Sequence, residues 1–133
     1  MGNVPGFMLD TSACIALLRG NTPPSEIRDV VCGISTVVEA ELWAGVYHRG
    51  GEKERQKVEL LLGVVKVIPF DSEAALQTGK ILGDLAREGQ PIGDFDSQIA
   101  GHALALAAVL VSDNLKHFGR VKGLQVLEWA PKA

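Results

Sequence analysis

The sequence has few cysteines and no long apolar run. Its two cysteines, Cys14 and Cys32, are too few for a disulfide framework or a zinc cluster, so we expect both to be small core residues in a reducing compartment. The longest apolar run, from Ala103 to Val111, is far shorter than the roughly 20 residues that a membrane span needs. Asp10 interrupts the early apolar segment before it could form the core of a signal peptide. We therefore expect a cytoplasmic protein without a membrane anchor.

The charge and composition favour a compact folded chain. Apolar residues make up 47% of the 133 positions, and the formal net charge is −3, which argues against disorder. A chain of this length is most simply one domain, residues 1–133, that buries about two-thirds of the surface its unfolded form exposes. The mild net negative charge argues against a protein that coats nucleic acid without specificity. A bound divalent ion would offset part of the negative charge, so net charge does not exclude an anionic substrate.

Short apolar segments alternate with helical segments along the chain. The strand candidates are residues 7–10, 30–34, 64–68, 109–112 and 125–128. The helix candidates are residues 12–19, 25–29, 36–48, 52–62, 72–88 and 97–107, with Thr11 or Ser12, Ser35 or Thr36, and Asp71 as candidate N-caps. This alternation predicts an α/β fold of three layers, in which a mostly parallel sheet of about five strands lies between helices. The order of the strands does not follow from the pattern.

Four acidic residues lie near predicted strand ends or helix starts, namely Asp10, Glu41, Asp96 and Asp113. Ligands of open parallel sheets bind beyond the carboxyl ends of the strands. Carboxylates within roughly 4 Å of each other repel by about 4 kcal/mol per pair at an effective dielectric near 20, so such a cluster needs a cation or bound protons. Oxygen ligands without His or Cys favour Mg²⁺ or Mn²⁺. We therefore predict a divalent-metal site, although each strand-end aspartate alone fits a plain turn equally well.

Glu39 and Glu41 both lie on the predicted helix over residues 36–48, and helix geometry indicates which of them is the metal ligand. Glu39 is the third residue of a helix that begins after Thr36, where it would complete a capping box. Glu41 shares a stripe with Val38 and Leu42 that should face the sheet, and no lysine or arginine lies within helical reach on that face. We predict that Glu41 binds the metal. The alternative is a surface glutamate.

The same comparison applies to Asp94 and Asp96. Asp96 stands three residues before Ile99 and four before Ala100, and the following helix should bury both of these residues. Asp96 therefore lies on the helix face that points toward the sheet edge. Asp94 fits better as an N-cap whose charge complements the helix dipole. We predict Asp96 as the metal ligand, with Asp94 as the alternative.

Four segments, in order, resemble the motifs of the PIN-domain ribonucleases and, within them, the VapC-type toxins of prokaryotic toxin–antitoxin pairs. The segments are Met8–Ser12, Ile34–Gly45, Pro91–Ala103 and Val111–Phe118. Each motif alone is weak, but four in this order over nearly the whole chain are specific. The resemblance implies that Asp10, Glu41, Asp96 and Asp113 are the catalytic and metal-binding residues, although many relatives carry Asn where this chain has Asp113.

The resemblance implies a divalent-metal-dependent endoribonuclease that acts as a toxin. A metal-activated water would cleave an RNA phosphodiester bond and leave 5′-phosphate and 3′-hydroxyl ends. The residues expected to contact the RNA are Thr11, Ser12, Ser112, Lys116 and Arg120. Lys116 and Arg120 belong to a basic cluster that follows Asp113, and a solvated loop explains that cluster equally well.

The resemblance also implies partners, namely a VapB-like antitoxin and a second copy of the chain, with a higher toxin–antitoxin assembly as a further expectation. The antitoxin would place an extended or helical segment in a groove beside the active site. The predicted helix over residues 36–48 is apolar around most of its girth, which favours burial of more than one face. Core packing alone is the alternative explanation.

Two other functions stay open on the sequence alone. One is a receiver-like Mg²⁺-binding signalling domain with Asp71 as the phosphoacceptor, but Trp129 follows the last predicted strand where such a domain has a lysine. The other is a PIN-like module that binds RNA without cutting it. The complete acidic set argues against the second.

Overall fold

The structure is a computed structural model that describes residues 4–129. Its strands are β1 (Phe7–Leu9), β2 (Gly33–Ser35), β3 (Lys66–Ile68), β4 (Val109–Ser112) and β5 (Val126–Glu128). Its helices are α1 (Thr11–Leu18), α2 (Thr36–His48), α3 (Glu52–Val64), α4 (Ser72–Arg87), α5 (Asp94–Ala105) and α6 (Leu115–Phe118). The segment predicted as a helix over residues 25–29 forms a 3-10 turn at Ser25–Ile27. The outermost residues of the predicted domain, 1–3 and 130–133, lie outside the described range.

The five strands form one parallel sheet in the order β3-β2-β1-β4-β5. The chain runs outward from β1 through β2 to β3, and then returns to the other side of β1 for β4 and β5. The direction of strand addition therefore reverses between β1 and β4, where Leu9 lies opposite Val111. In open parallel sheets, ligands bind in the crevice at such a reversal. The predicted α/β fold with a parallel sheet of five strands is confirmed.

The core consists of strand residues and the helix faces that cover them. The strand residues that are at most 2% exposed include Met8, Leu9, Ile34, Leu110 and Val111. Cys14 and Cys32 lie in the same buried cluster as free thiols, so their predicted core role is confirmed. Burial raises the pKa of both thiols, which keeps them protonated and unreactive. Across residues 4–129, none of the helices combines the length and the apolar character of a bilayer span.

The start of α2 differs from the predicted capping box. Its N-cap is Ser35, whose hydroxyl accepts a backbone N–H of the first turn at 3.1 Å. Thr36 Oγ1 accepts a hydrogen bond from the backbone N–H of Phe70 at 3.1 Å. Glu39 Oε2 accepts from Trp43 Nε1 at 3.2 Å. Glu39 therefore has a structural role, but its contact is with an indole one turn later and not with the N-cap.

The start of α5 also differs from the prediction. The helix begins at Asp94, three residues before the predicted start, and its N-cap is Gly93 with a φ of 95°. The prediction that Asp94 is the N-cap is therefore wrong. A positive φ is readily available to glycine, so Gly93 sets the turn into the helix. Asp94 and Asp96 both lie in the first helical turn, where their charges complement the dipole.

Helices α4 and α5 meet closely at Gly101. A Cβ atom at Gly101 would lie 2.2 Å from Thr78 Oγ1 and 2.7 Å from the Thr78 backbone nitrogen. Thr78 is buried, and its hydroxyl donates to the Ala74 carbonyl at 2.7 Å. Because the obstacle includes backbone of α4, the two helices can approach to this distance only with glycine at position 101.

His102 is a buried imidazole on α5. It is 1% exposed, and its Nδ1 has no hydrogen-bond partner among residues 4–129. Its ring packs edge-on against Phe70, with 5.5 Å between the ring centroids. Burial lowers the pKa of His102, and the nearby carboxylate of Asp71 partly opposes that shift. The folded protein therefore holds this imidazole in its neutral form.

We expect the free energy of unfolding to decrease as the pH falls from about 6.5, the ordinary pKa of histidine, through the lowered pKa of folded His102. In that range the unfolded chain binds a proton at His102 before the folded chain does, so acid favours unfolding. Above it both states are neutral and this contribution to stability is complete. Urea unfolding at several pH values measures the dependence. His102→Phe should flatten it while the exposed control His48→Gln should not, and an unchanged slope in His102→Phe would contradict the assignment.

Candidate active site

Asp10 lies at the carboxyl end of β1, in the crevice between β1 and β4. Its backbone N–H donates to the Val111 carbonyl at 3.0 Å and extends the pairing of the two strands. Its side chain, 4% exposed, caps α1 by accepting the backbone N–H of Ala13 at 2.8 Å. The prediction of Thr11 or Ser12 as this N-cap is therefore wrong. The first predicted metal ligand is also the residue that starts the helix.

Two serine hydroxyls hold the Asp10 carboxylate. Ser12 Oγ donates to Oδ1 at 2.7 Å, and Ser112 Oγ donates to Oδ2. Each hydroxyl also accepts a backbone N–H from the turn after β4, Ser12 from Asp113 at 3.2 Å and Ser112 from Asn114 at 2.8 Å. These bonds join the start of α1 to that turn across the strand reversal. Both serines predicted to contact RNA thus lie beside Asp10.

The electrostatic environment of Asp10 opposes its ionisation. Burial raises its pKa, the hydrogen bonds from Ser112, Ser12 and the Ala13 N–H counter the rise, and the charge of Asp113 adds to it. Asp113 is exposed on the turn after β4. Because its charge raises the pKa of Asp10, it lies close enough to act on that carboxylate. A cation at this position would favour the ionised form of Asp10.

Glu41 extends from α2 to the start of α1. Thr11 Oγ1 donates to Glu41 Oε1, and Thr11 directly follows Asp10 in the chain. The bond therefore brings Glu41 to the end of β1 at which Asp10 lies. Glu39, the competing residue, is engaged with Trp43 instead. The role of Glu41 as a metal ligand stays a prediction.

Asp96 faces the segment after β4 through His117. Asp96 Oδ2 lies 3.0 Å from His117 Nδ1, and the side-chain nitrogen of Asn114 lies 3.1 Å from the same ring nitrogen. With a proton on Nδ1 the ring donates to Asp96, and without that proton Nδ1 accepts from the Asn114 amide N–H, so each tautomer makes one of the two hydrogen bonds. His117 was not predicted from the sequence as a partner of Asp96. The three-residue spacing of Asn114 and His117 indicates only that those two side chains share a face, and no spacing in the sequence relates His117 to Asp96.

The predicted acids are held in separate contacts and do not form one closed cluster. Asp10 accepts from Ser12 and Ser112 and is repelled by the charge of Asp113, Glu41 accepts from Thr11, and Asp96 contacts His117. Among the residues from 4 to 129, no three side chains of His, Cys, Asp or Glu are grouped so that they could hold a metal ion. The close ring of four repelling carboxylates that the sequence suggested is thus not present in this conformation. Hydroxyl groups contact the carboxylates of Asp10 and Glu41, and an imidazole contacts that of Asp96.

The basic residues predicted to bind RNA lie in a different setting. Arg120 donates to the Pro91 carbonyl at 3.2 Å, and it shares a pocket on the α4 side with Lys122, whose ammonium lies 3.9 Å from Glu88. Lys116 is exposed on α6. The contact of Lys116 and Arg120 with RNA therefore stays a prediction, and Arg120 is already engaged within the protein.

A cleft of about 430 Å³ opens beside the contact between Thr11 and Glu41, bounded by α1, α2 and α3. Its apolar lining residues are Ile15, Leu18, Leu42 and Val58, and its further charged residues are Arg19, Arg49, Glu54 and Lys57. A shallower apolar groove between α1 and α3 shares Leu18 and Lys57 with the cleft. That groove includes Leu60 and Val64, which are 73% and 69% exposed. Together they form a continuous surface, apolar and basic, that leads away from the acidic residues.

Known proteins are similar to this chain over most of its length. A family model described as PIN domain matches residues 7–124. The tRNA(fMet)-specific endonuclease VapC of Salmonella typhimurium is 35% identical over 131 residues, which cover 92% of this chain and 97% of the relative. Ribonuclease VapC1 of Haemophilus influenzae is 34% identical over 132 residues, with the same two coverages.

Solved structures give the same result. The chain is similar to DNA-bound VapBC from Salmonella typhimurium, with a TM-score of 0.85, 34% identity, and coverage of 95% of this chain and 99% of that chain. It is also similar to VapBC2 from Rickettsia felis bound to a promoter DNA fragment, with a TM-score of 0.84, 28% identity, and coverage of 93% and 98%. The likeness extends over almost the whole of each compared chain.

Proposed function

Because the chain belongs to the PIN domain family, we propose that it is an endoribonuclease that acts as the toxin of a toxin–antitoxin pair. The observation that carries the proposal is the Asp10 carboxylate, buried at the β1/β4 crevice and held there by Ser12 and Ser112. Relatives named as VapC ribonucleases or endonucleases, at least 30% identical over more than nine-tenths of the chain, support the activity. The resemblance found in the sequence motifs is confirmed by the family match.

We propose that the activity depends on a divalent ion, Mg²⁺ or Mn²⁺, and that Asp10, Glu41, Asp96 and Asp113 move together from their separate contacts to bind it. The donor set supports this, because carboxylate oxygens are the groups that these hard ions bind. The environment of Asp10 supports it as well, since burial and the charge of Asp113 both raise its pKa and a cation would counter both effects. When bound, such an ion supplies positive charge to a phosphate and acidifies water.

The hydroxyl and imidazole groups of the chain would orient these acids. Ser12 and Ser112 donate to the two oxygens of Asp10, Thr11 donates to Glu41, and His117 holds Asp96. A carboxylate with a fixed rotamer loses less entropy when a ligand binds, which favours a preorganised site. Thr11 and Ser12 are partly exposed, whereas Ser112 is fully buried and its hydroxyl is engaged with Asp10 and Asn114. We propose that the hydroxyls of Thr11 and Ser12 also contact the phosphate that is cut, and that Ser112 acts through Asp10 and not on the RNA as the sequence predicted.

Chelation tests the metal dependence. We expect EDTA to abolish cleavage of a structured, 5′-labelled RNA by the purified protein, and excess Mn²⁺ or Mg²⁺ to restore it, with 5′-phosphate and 3′-hydroxyl product ends. Loss of the ion removes the charge that offsets the acidic residues. The far-ultraviolet circular dichroism of the EDTA-treated protein should be unchanged, which excludes unfolding as the cause. Cleavage that persists under chelation would rule out the metal-dependent mechanism, and RNA binding without cleavage under all conditions would favour the non-cleaving alternative.

We propose a VapB-like antitoxin as the protein partner. The two solved structures described above are of VapBC proteins. The surface formed by the cleft and the adjoining groove offers a place for an antitoxin segment, because exposed Leu60 and Val64 continue the apolar lining. An extended or helical segment that fills it would cover Thr11 and Glu41. A homodimer or a higher toxin–antitoxin assembly accompanies this proposal.

The cellular and domain assignments follow from the proposed activity. We propose that residues 1–133 form one PIN-like domain that acts in the cytoplasm, where RNA substrates are present. The receiver-like alternative gains no support from the position of Asp71. Its carboxylate caps α4 by accepting the Ala74 N–H at 3.0 Å, as predicted, and the preceding strand β3 is at the edge of the sheet, away from the β1/β4 crevice.

A further inference from the structure

The arginines of residues 4–129 fall into two groups. Those whose guanidinium has a partner are Arg28 with the Pro23 carbonyl, Arg55 with Tyr47, Arg87 with Asp84 and Arg120 with the Pro91 carbonyl. Arg19 and Arg49 form no side-chain hydrogen bond or ion pair with any described residue, and both line the cleft. The two guanidinium groups without a partner in the described part of the chain thus line the same cleft.

Helix geometry gives the distance of these arginines from the candidate active site. Arg19 follows the last residue of α1, and Arg49 follows the last residue of α2. Thr11 and Glu41 lie eight positions earlier on the same two helices, and eight helical residues span about 12 Å. Because Thr11 bonds to Glu41 at one end and both arginines line the cleft at the other, the cleft runs from the acidic residues to the arginine pair.

The charge of the cleft suits a polyanion. Lys57 of α3 also lines it, while Glu54 is the acid that lines it besides Glu41. The chain as a whole is acidic, at −3, so this is a local concentration of positive charge. Arginine binds phosphate through paired, charge-assisted hydrogen bonds, and an unengaged guanidinium gives up no internal partner when it does so.

We infer that Arg19 and Arg49 form a phosphate-binding subsite for the RNA strand a few nucleotides from the cut, with Lys57 adding charge. The inference rests on the proposed function, which makes RNA the substrate. A strand cut beside Glu41 must continue beyond it, and the cleft provides a path with cations in place. Of the basic residues after β4, Arg120 is less suited because its guanidinium is engaged with the Pro91 carbonyl. RNA and an antitoxin segment would then compete for one surface.

The test compares Arg19→Gln, Arg49→Gln and the double variant with Arg87→Gln. Arg87 ends α4 outside the cleft and is paired with Asp84, so the control makes the same change in charge without touching the subsite. With labelled RNA and Mn²⁺, we expect KM to rise about tenfold for each single variant and about a hundredfold for the double variant, the effect of removing one or two charge-assisted hydrogen-bonding groups. The value of kcat should stay within about twofold because neither residue reaches the acidic end.

Salt dependence gives a second readout. The slope of log affinity against log salt concentration should become shallower by about 0.7 for each phosphate of a single strand that the variant no longer neutralises. Arg19→Lys should recover part of the affinity, because lysine keeps the charge but not the paired geometry. Thermal melting of each variant checks that the fold is retained.

Several outcomes would overturn the subsite. They are an unchanged KM in the double variant, a KM change equal to that of Arg87→Gln, and a fall in kcat at constant KM. Loss of affinity for an acidic antitoxin peptide with unchanged KM for RNA would assign the arginines to the protein partner and would also overturn it. Failure of the proposed function gives a different result. If the wild-type protein binds RNA through Arg19 and Arg49 but does not cut it, the subsite is supported and the nuclease activity is contradicted.

Discussion

Asp96→Asn should reduce RNA cleavage by at least about a hundredfold, the loss expected when a metal ligand or its immediate support is removed. The substitution removes the negative charge and keeps the shape of the side chain. The amide oxygen can still accept the hydrogen bond from His117 Nδ1, so the contact between α5 and the segment after β4 should survive. Single-turnover cleavage of labelled RNA at saturating Mn²⁺ measures the effect on the chemical step.

Asp94→Asn is the matched control for this prediction. Asp94 lies in the same helical turn and carries the same charge, but it is exposed and forms no side-chain hydrogen bond or ion pair within residues 4–129. Its variant should cleave RNA within about twofold of wild type, which is the usual effect of an isolated surface charge. If Asp94→Asn were the inactive variant and Asp96→Asn the active one, the two roles would have to be exchanged. A loss of helical signal in Asp96→Asn would assign Asp96 to the fold.

Gly101→Ala should destabilise the fold by about 3 kcal/mol, near the upper end of the range for overpacked cores. The added methyl group would lie 2.2 Å from Thr78 Oγ1 and within 3 Å of Thr78 backbone atoms, so α4 and α5 must separate to admit it. For a chain of this size the midpoint of thermal unfolding should fall by roughly 10 °C. Differential scanning calorimetry or urea unfolding measures the change.

Gly79→Ala provides the opposite result as a control. Gly79 is exposed on α4, one residue from Thr78, and a Cβ there meets no atom within 4 Å. Alanine should therefore stabilise the helix, by up to about 1 kcal/mol. If both substitutions shifted stability in the same direction, helix propensity would explain the data and the close helix contact would not.

Much of the fold could be predicted because its signals are local. Short runs of Val, Ile and Leu separated by helical segments are typical of parallel sheets, and five such runs correspond to the five strands. The strand predicted from residue 30 shows the limit of the pattern. Val30 and Val31 are 49% and 66% exposed, and β2 begins only at Gly33, where the absence of a side chain leaves room for Met8 and Pro5. Hydrophobicity identified the segment, and tertiary contact determined its boundary.

Helix starts were harder to predict, because several neighbouring side chains can accept the same backbone N–H. At the start of α1, Asp10, Thr11 and Ser12 all carry suitable oxygens, and the β-strand conformation of the preceding residues selects Asp10. At α5 the positive φ of Gly93 moves the start three residues earlier than the burial pattern suggests. Local composition predicts neither the backbone conformation that selects Asp10 nor the positive φ of Gly93.

The proximity of two acids was predictable at the strand ends, whereas the contacts that helix residues make were not. Asp10 and Asp113 follow neighbouring strands, so parallel pairing alone brings them close. The contact of Asp96 with His117 depends on rotamers in two elements that no sequence spacing relates. Arg19 and Arg49 each look like an ordinary cation at a helix C-terminus. Their shared cleft becomes visible only when the ends of α1 and α2 are placed together.

The bond from Ser112 to Asp10 joins positions 102 residues apart in the chain. A chain still emerging from the ribosome therefore has Asp10 and the start of α1 long before it has the strand that completes the crevice. Nuclease activity should therefore arise only after β4 and the turn that follows it have been synthesised. Products of translation that stops before β4 should lack that activity.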